Sequence, residues 1–281
     1  MARRRGLGRF GLRRGARDAA CLALAVPFAL PLFWLVSTAF RPAAAVYASP
    51  QQWLPGSITL SNLREAWRLL DFPLFLRNSL LVTGLTMLGS LSSSSLVGYA
   101  FALLPGRGKG TLFSLLLATT MVPASVTLIP VFILFSTLGW VDTYLPLIVP
   151  ACCGSPFLVL IFRQFFRALP AELFECAELD GCSPLAAYWH VALPLSRPAL
   201  AMAAVFSFAG AWNDFLGPLI YLNTSDRFTL SLGLAFFQGL HYSQLHYLLP
   251  LCLVALLPVV ALFLLAQRYV MNGILAMGVR D

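Results

Sequence analysis

The chain has 281 residues, 59% of them hydrophobic and 11% charged, with a mean hydropathy of +0.81 and a formal net charge of +8. Soluble domains hold about 45–50% apolar and about 25% charged residues, so this chain cannot cover itself with polar groups and a water-soluble globule is excluded. No stripe interleaves its arginines with aromatics, so nucleic acid is not an expected partner; membrane topology and anionic lipid account for the positive charge instead.

A helix crossing a bilayer core about 30 Å thick needs roughly 20 apolar residues at about 1.5 Å per residue. Six runs qualify, at residues 19–40, 79–104, 112–138, 143–162, 199–222 and 247–266, and Asp214 is the single charged residue inside them. Their length and continuity predict helices rather than barrel strands, which run about ten residues with alternating polarity. The expected fold class is an all-α membrane protein with six transmembrane helices.

The chain opens on a basic tail, residues 1–18, followed by transmembrane helix 1 at residues 19–40. Its apolar run exceeds the about 7–15 residues of a cleaved signal peptide, so it reads as an uncleaved signal anchor. An extracytoplasmic loop at residues 41–78 is too polar to span and contains a short amphipathic helix at residues 61–70. A core of five transmembrane helices occupies residues 79–266. Within it, GSLSSSSLVGYA from Gly89 to Ala100 supplies small residues that let helices approach closely, with a polar face on a solute path as the second reading. Pro123, Pro130, Pro146, Pro150 and Pro156 interrupt the next two spans; each removes a backbone hydrogen bond, which suits a pore and ordinary membrane-helix kinking equally.

Trp212, Asn213 and Asp214 lie in the outer half of the fifth span, ahead of Gly217 and Pro218. A carboxylate at that depth is costly unless it faces protein or water. The trio is therefore a candidate translocation pathway, offering an aromatic face and polar groups to a sugar, or else a device that holds a helix break. A second outer loop covers residues 223–246, and its Asn223-Thr224-Ser225 triplet reads as a chance match to a glycosylation signal. The chain ends on a tail at residues 267–281.

Basic residues set the orientation. With the N-terminus inside, fourteen lysines and arginines fall on the cytoplasmic side and five on the outer side, which predicts that both termini are cytoplasmic. The six cysteines all fall in spans or in the cytoplasmic loop, and no C-x-x-C pair occurs, so neither a disulfide framework nor a metal site is expected. Protease and hydrolase signatures are missing as well: there is no H-E-x-x-H and no G-x-S-x-G. GRGKGT from Gly106 has the end of a phosphate loop, but Leu103 and Gly110 stand where a Walker A motif requires Gly and Ser or Thr. It reads as a basic turn, and the chain is expected to bind no cofactor. A self-sufficient secondary carrier or channel is the rival class, for which Asp214 alone gives thin support, since such carriers need buried charges on their pathway.

The one substantial cytoplasmic loop, residues 163–198, gathers four of the eleven carboxylates of a chain poor in charge: Glu172, Glu175, Glu178 and Asp180. Pro170 suits a helix start, the glutamates suit its positive end, and Gly181 suits the left-handed residue that closes it. Ser183 and Pro184 then begin a second helix through about Val191. Leu173, Phe174 and Ala177 share one face of the first helix and the glutamates another. An acidic face does not fit a negative membrane surface, but it fits a groove on a protein that offers arginine.

Glu175, Cys176 and Ala177, Gly181 after three residues, then Val191, Leu193 and Pro194 resemble the EAA loop in the membrane subunits of binding-protein-dependent ABC importers. Cys176 replaces the usual Ala and Val191 the usual Ile. RNSLLVTG, GYAFALLPGRGKG, MVPASVTLIPVFILFSTLGWVDTYLPLI, WNDFLGPL and NGILAMGVRD extend the likeness to the maltose-type, carbohydrate-uptake branch. The resemblance implies the type I importer permease fold in a bacterial inner membrane and no enzymatic activity of its own. It also implies that Glu175, Cys176, Ala177, Asp180, Gly181, Val191, Leu193 and Pro194 dock an ATPase subunit. The implied partners are a second homologous permease subunit, two ATPase subunits carrying ATP and Mg, and an extracytoplasmic solute-binding protein facing the outer loops. The implied cargo is a sugar, or a sugar-phosphate such as a glycerophosphate.

Overall fold

The computed structural model describes residues 5–48, 53–54, 56–69, 71–240 and 244–278; the first four residues of the tail, parts of both predicted outer loops and the last three residues lie outside them. Among the described residues the regular structure is entirely helical. In chain order the helices are α1 (Arg5–Ala39), α2 (Ala43–Val46), α3 (Ser61–Leu69), α4 (Phe72–Leu103), α5 (Lys109–Ala118), α6 (Ala124–Thr137), α7 (Leu145–Cys152), α8 (Pro156–Arg167), α9 (Glu172–Leu179), α10 (Pro184–Ala187), α11 (Leu193–Leu195), α12 (Arg197–Trp212), α13 (Leu216–Tyr221), α14 (Leu230–Leu240) and α15 (Leu245–Gly278).

Four segments are long and apolar enough to cross a membrane, Asp18–Ala39, Phe72–Leu103, Leu145–Arg167 and Leu245–Arg268, and six if each of two bent pairs is one span. Where an expected run breaks into two helices, proline is the physical reason. The third run breaks by 97° between Met121 and Ala124. Pro123 forces its predecessor out of the helical region, and Val122 is extended at φ −78° and ψ 116°. The fifth run becomes α12 and α13, because the ring of Pro218 would collide with the carbonyl of Asp214, four residues earlier. The chain opens there, and the freed Asp214 carbonyl accepts the Ser231 hydroxyl at 2.6 Å. At the other end, α12 meets the segment Pro184–Leu195 at 79°. Helix α4 starts at Phe72, inside the residues expected to be loop, with Pro73 in its first turn.

The chain divides into two compact units, Met1–Leu70 with Phe237–Val254, and Asp71–Phe236 with Ala255–Asp281. In the first unit the apolar stretch of α1 has none of its spanning window buried, as a lipid-facing helix requires. Its C-terminal end is fixed by polar contacts: Arg41 donates to the Ser37 hydroxyl at 2.9 Å, and Asn62 donates to the Arg41 carbonyl at 2.7 Å. In the second unit α4 is the central helix, flanked by α7, α8 and α12. The serine-rich segment serves packing. Ser90, Ser94 and Ser95 are buried, and a Cβ on Gly98 would lie 2.6 Å from the Phe162 Cβ and 3.1 Å from the Arg163 backbone nitrogen. The core of this unit gathers Tyr99 of α4, Leu158, Phe162 and Phe166 of α8, Tyr188 and Ala192 beyond α10, and Ala199 and Ala203 of α12.

Candidate functional site

That core seats the charged loop directly on α4, α8 and α12. The expected start at Pro170 comes two residues before α9, whose first turn carries Glu172 and Glu175. The helix closes in a Schellman arrangement. The Cys182 amide donates to the Ala177 carbonyl at 2.9 Å and the Gly181 amide to that of Glu178 at 2.9 Å, with Gly181 at φ +80°. The Ser183 hydroxyl then caps α10 by accepting the Ala186 amide at 3.2 Å. The second helix runs past its expected end, through a wide turn at Tyr188–Ala192 into α11.

Two hydroxyls tie this loop to α4. Tyr99 donates to the Pro184 carbonyl at 2.9 Å, and Tyr188 and Ser95 share a bond of 2.7 Å. Tyr99 also packs against Phe174 with ring centres 6.3 Å apart. The residues singled out from the sequence sort into two groups. Glu175, Cys176, Asp180, Gly181 and Pro194 are exposed, whereas Ala177 is buried, Leu193 packs on the core and Val191 is half-buried. Ala177 and Leu193 therefore help to hold the loop in place. Leu173, expected beside Phe174 and Ala177, is instead exposed, as is Leu179 at 88%. The exposed surface of α9 thus mixes carboxylates with apolar side chains.

The tryptophan, asparagine and aspartate trio is divided by the structure. Trp212 is buried, donates to the Ala255 carbonyl at 3.1 Å and stacks on Phe208. Asn213 is exposed and turns back to the Ala209 carbonyl at 2.8 Å. Asp214 alone faces a cavity of about 270 Å³, whose lining includes Ser79, Thr83, Thr86 and Thr229. One carboxylate oxygen accepts the Gly217 amide at 3.1 Å, and any side chain on Gly217 would strike the other. Ser79 accepts the Leu230 amide at 2.6 Å, but the Thr83 hydroxyl is buried without a partner. These α4 residues are missing from the sequence-derived site. Their spacing of four and then three residues in an otherwise apolar span places them on one helix face, and that signal was available.

A further cluster, not anticipated from the sequence, closes the loop after α13. Asp142, at φ 60°, accepts the amides of Asn223 and Thr224 at 2.9 and 3.0 Å and the Thr224 hydroxyl at 2.6 Å, and it pairs with Arg227 at 3.2 Å. The Thr224 hydroxyl, then the two amides and Arg227, hold its carboxyl down at about 2.

Residues 94–275 match the family described as binding-protein-dependent transport system inner membrane component. An arabinooligosaccharides transport system permease protein of Halalkalibacterium halodurans is 33% identical over 253 residues, 89% of this chain and 90% of that one. A sulfoquinovosyl glycerol transport system permease protein of Agrobacterium fabrum is 29% identical, covering 98% of this chain and 97% of its own. A trehalose/maltose transport system permease protein of Thermococcus litoralis is also 29% identical, over 91% and 92%. The fold matches a chain in the crystal structure of a bacterial ABC transporter involved in import of the acidic polysaccharide alginate, with a TM-score of 0.79 at 22% identity over 93% of this chain and 98% of that one. The chain therefore has the type I ABC importer permease fold, is a transport subunit rather than an enzyme, and belongs to the family of binding-protein-dependent transport system inner membrane components.

Proposed function

We propose that this permease subunit forms half of a pore for a carbohydrate or sugar-like solute delivered by an extracytoplasmic binding protein. A second, homologous permease subunit supplies the other half. ATP is bound with Mg and hydrolysed on two separate ATPase subunits, and the loop from Glu172 to Pro194 is where one of them docks. The observation that carries this reading is the exposed mixed face of α9, closed at Gly181 and bonded through Tyr99 and Tyr188 to α4. Helix α4 carries Ser79, Thr83 and Thr86 on the cavity at its other end, so one helix joins the docking loop to the proposed solute path. Asp214 is the member of the trio that meets solute, while Trp212 and Asn213 hold the helix break. The named relatives support a saccharide as cargo, and the basic residues support both termini lying in the cytoplasm.

The test is uptake by proteoliposomes that hold the chain with its partner subunits and binding protein, using labelled arabinotriose, trehalose and maltose as probes. ATP-dependent uptake of at least one, lowered at least tenfold by Asp214→Asn with the complex intact, is the expected result. Saccharide uptake that needs neither ATP nor the binding protein contradicts the reading.

A further inference from the structure

The Leu103 end of α4, the start of α5 and the Arg167 end of α8 meet in one basic corner. Lys109 is the first residue of α5, and both Arg163 and Arg167 of α8 lie close enough to repel its charge. Three like charges held together cost free energy unless an anion joins them. Among the described residues none of the three forms an ion pair with a carboxylate. Lys109 spends one proton on the Leu104 carbonyl at 2.6 Å and has two left to donate. Arg163 lies over the Phe113 ring, its guanidinium carbon 3.9 Å from the ring centre, and its buried Nε has no partner. Phe113 is itself buried and packed edge-on to Phe101, so the guanidinium is held in place.

We infer that this corner is a binding site for the headgroup phosphate of an anionic phospholipid. An oxyanion held between Lys109 and the guanidinium of Arg163 would relieve their repulsion, with Arg167 at the exposed rim. Depth favours a lipid over a soluble phosphate, because α4 and α8 belong to membrane-crossing segments that end here, at the level of the headgroups. The neighbouring surface favours it too. Leu112 and Leu115 follow Lys109 along α5 at helical spacing, and both are more than half exposed. A phosphate at the lysine and an acyl chain along the leucines match one amphiphile. This site is independent of the transport reading and stands whether or not an ATPase docks on α9.

The test uses the full chain purified from membranes, exchanged into detergent with equal amounts of phosphatidylglycerol and phosphatidylcholine and weighed by native mass spectrometry. The wild type retains phosphatidylglycerol preferentially. Each of Lys109→Gln, Arg163→Gln and Arg167→Gln lowers the retention ratio by about fivefold, from about 1 kcal/mol per charge. Arg68→Gln on α3, an exposed arginine in the other unit, leaves it unchanged. Because Arg167 is exposed, its variant remains informative even if Arg163→Gln fails to fold. Equal retention of both lipids by the wild type, an equal effect of Arg68→Gln, or displacement by glycerol phosphate at the same concentration as the lipid overturns the inference.

Discussion

Substitutions at Gly181 separate what the chain itself needs from what a docked partner needs. Its backbone is left-handed at φ +80°, and a Cβ built there meets nothing of this chain within 4 Å. The intrinsic penalty is thus conformational only. An alanine in the left-handed region costs about 1–2 kcal/mol, while asparagine, which visits that region readily, costs less than about 1 kcal/mol. If strain were all that mattered, Gly181→Ala would be the more damaging change. If the turn lies against an ATPase surface, the order inverts, because asparagine projects further into the contact. Loss of about 3 kcal/mol at a close-packed contact corresponds to roughly a hundredfold weaker docking. The assay is ATPase binding to each purified variant, alongside its thermal melting. Asparagine should melt within about 2–4 °C of wild type, as a change of about 1 kcal/mol allows in a chain of this size, and should bind at least tenfold more weakly than alanine. An asparagine variant that binds as well as alanine refutes the placement of Gly181 at the interface.

Tyr188→Phe should leave ATPase binding intact and reduce solute-stimulated hydrolysis, measured in proteoliposomes. Ser95 also donates to the Ser92 carbonyl at 3.1 Å, so the lost bond costs only about 1 kcal/mol of stability while uncoupling the loop from α4. Gly98→Ala should destabilise the inserted chain by about 1–2 kcal/mol in a denaturation titration. The helix-propensity gain of about 1 kcal/mol is outweighed by overpacking of up to about 3 kcal/mol against the Phe162 Cβ and the backbone of Val159 and Arg163. For Asp142 the folded carboxyl sits at about 2, below its ordinary 3.8, so its stabilisation is complete above that ordinary value and is lost as pH falls towards 2. Melting curves of Asp142→Asn should lack this acid-dependent component, while wild type shows it between about pH 4 and pH 2.

Helices were legible in the sequence because lipid imposes a simple condition, a long apolar run, and the loop was legible because it gathers four carboxylates in one short stretch between apolar spans. The breaks were harder to place. Pro123 and Pro130 carry the same local signal, yet Pro123 heads a 97° bend and Pro130 lies inside α6, so proline alone does not locate the break. Pro218 marked a break, but the role of Asp214 depended on Ser231 taking its carbonyl and on Gly217 making room for its carboxylate. Thr83 and Thr86 carry an ambiguous signal, because a hydroxyl in a membrane helix ordinarily bonds within its own turn. Likewise, the partners of Asp142 lie 81 and 82 residues away, which no local pattern discloses.

The central claim is that a separate ATPase docks on the acidic face of α9. Its most direct test is the amount of ATPase that co-purifies from native membranes with the tagged chain, wild type against a variant with Glu172, Glu175 and Glu178 all changed to Gln. Charge-assisted bonds contribute about 1.5–3 kcal/mol each, so removal of even one that forms predicts at least tenfold less ATPase on the variant, with the same quantity of chain in the membrane. Equal recovery of ATPase with both chains, or none with either, contradicts it.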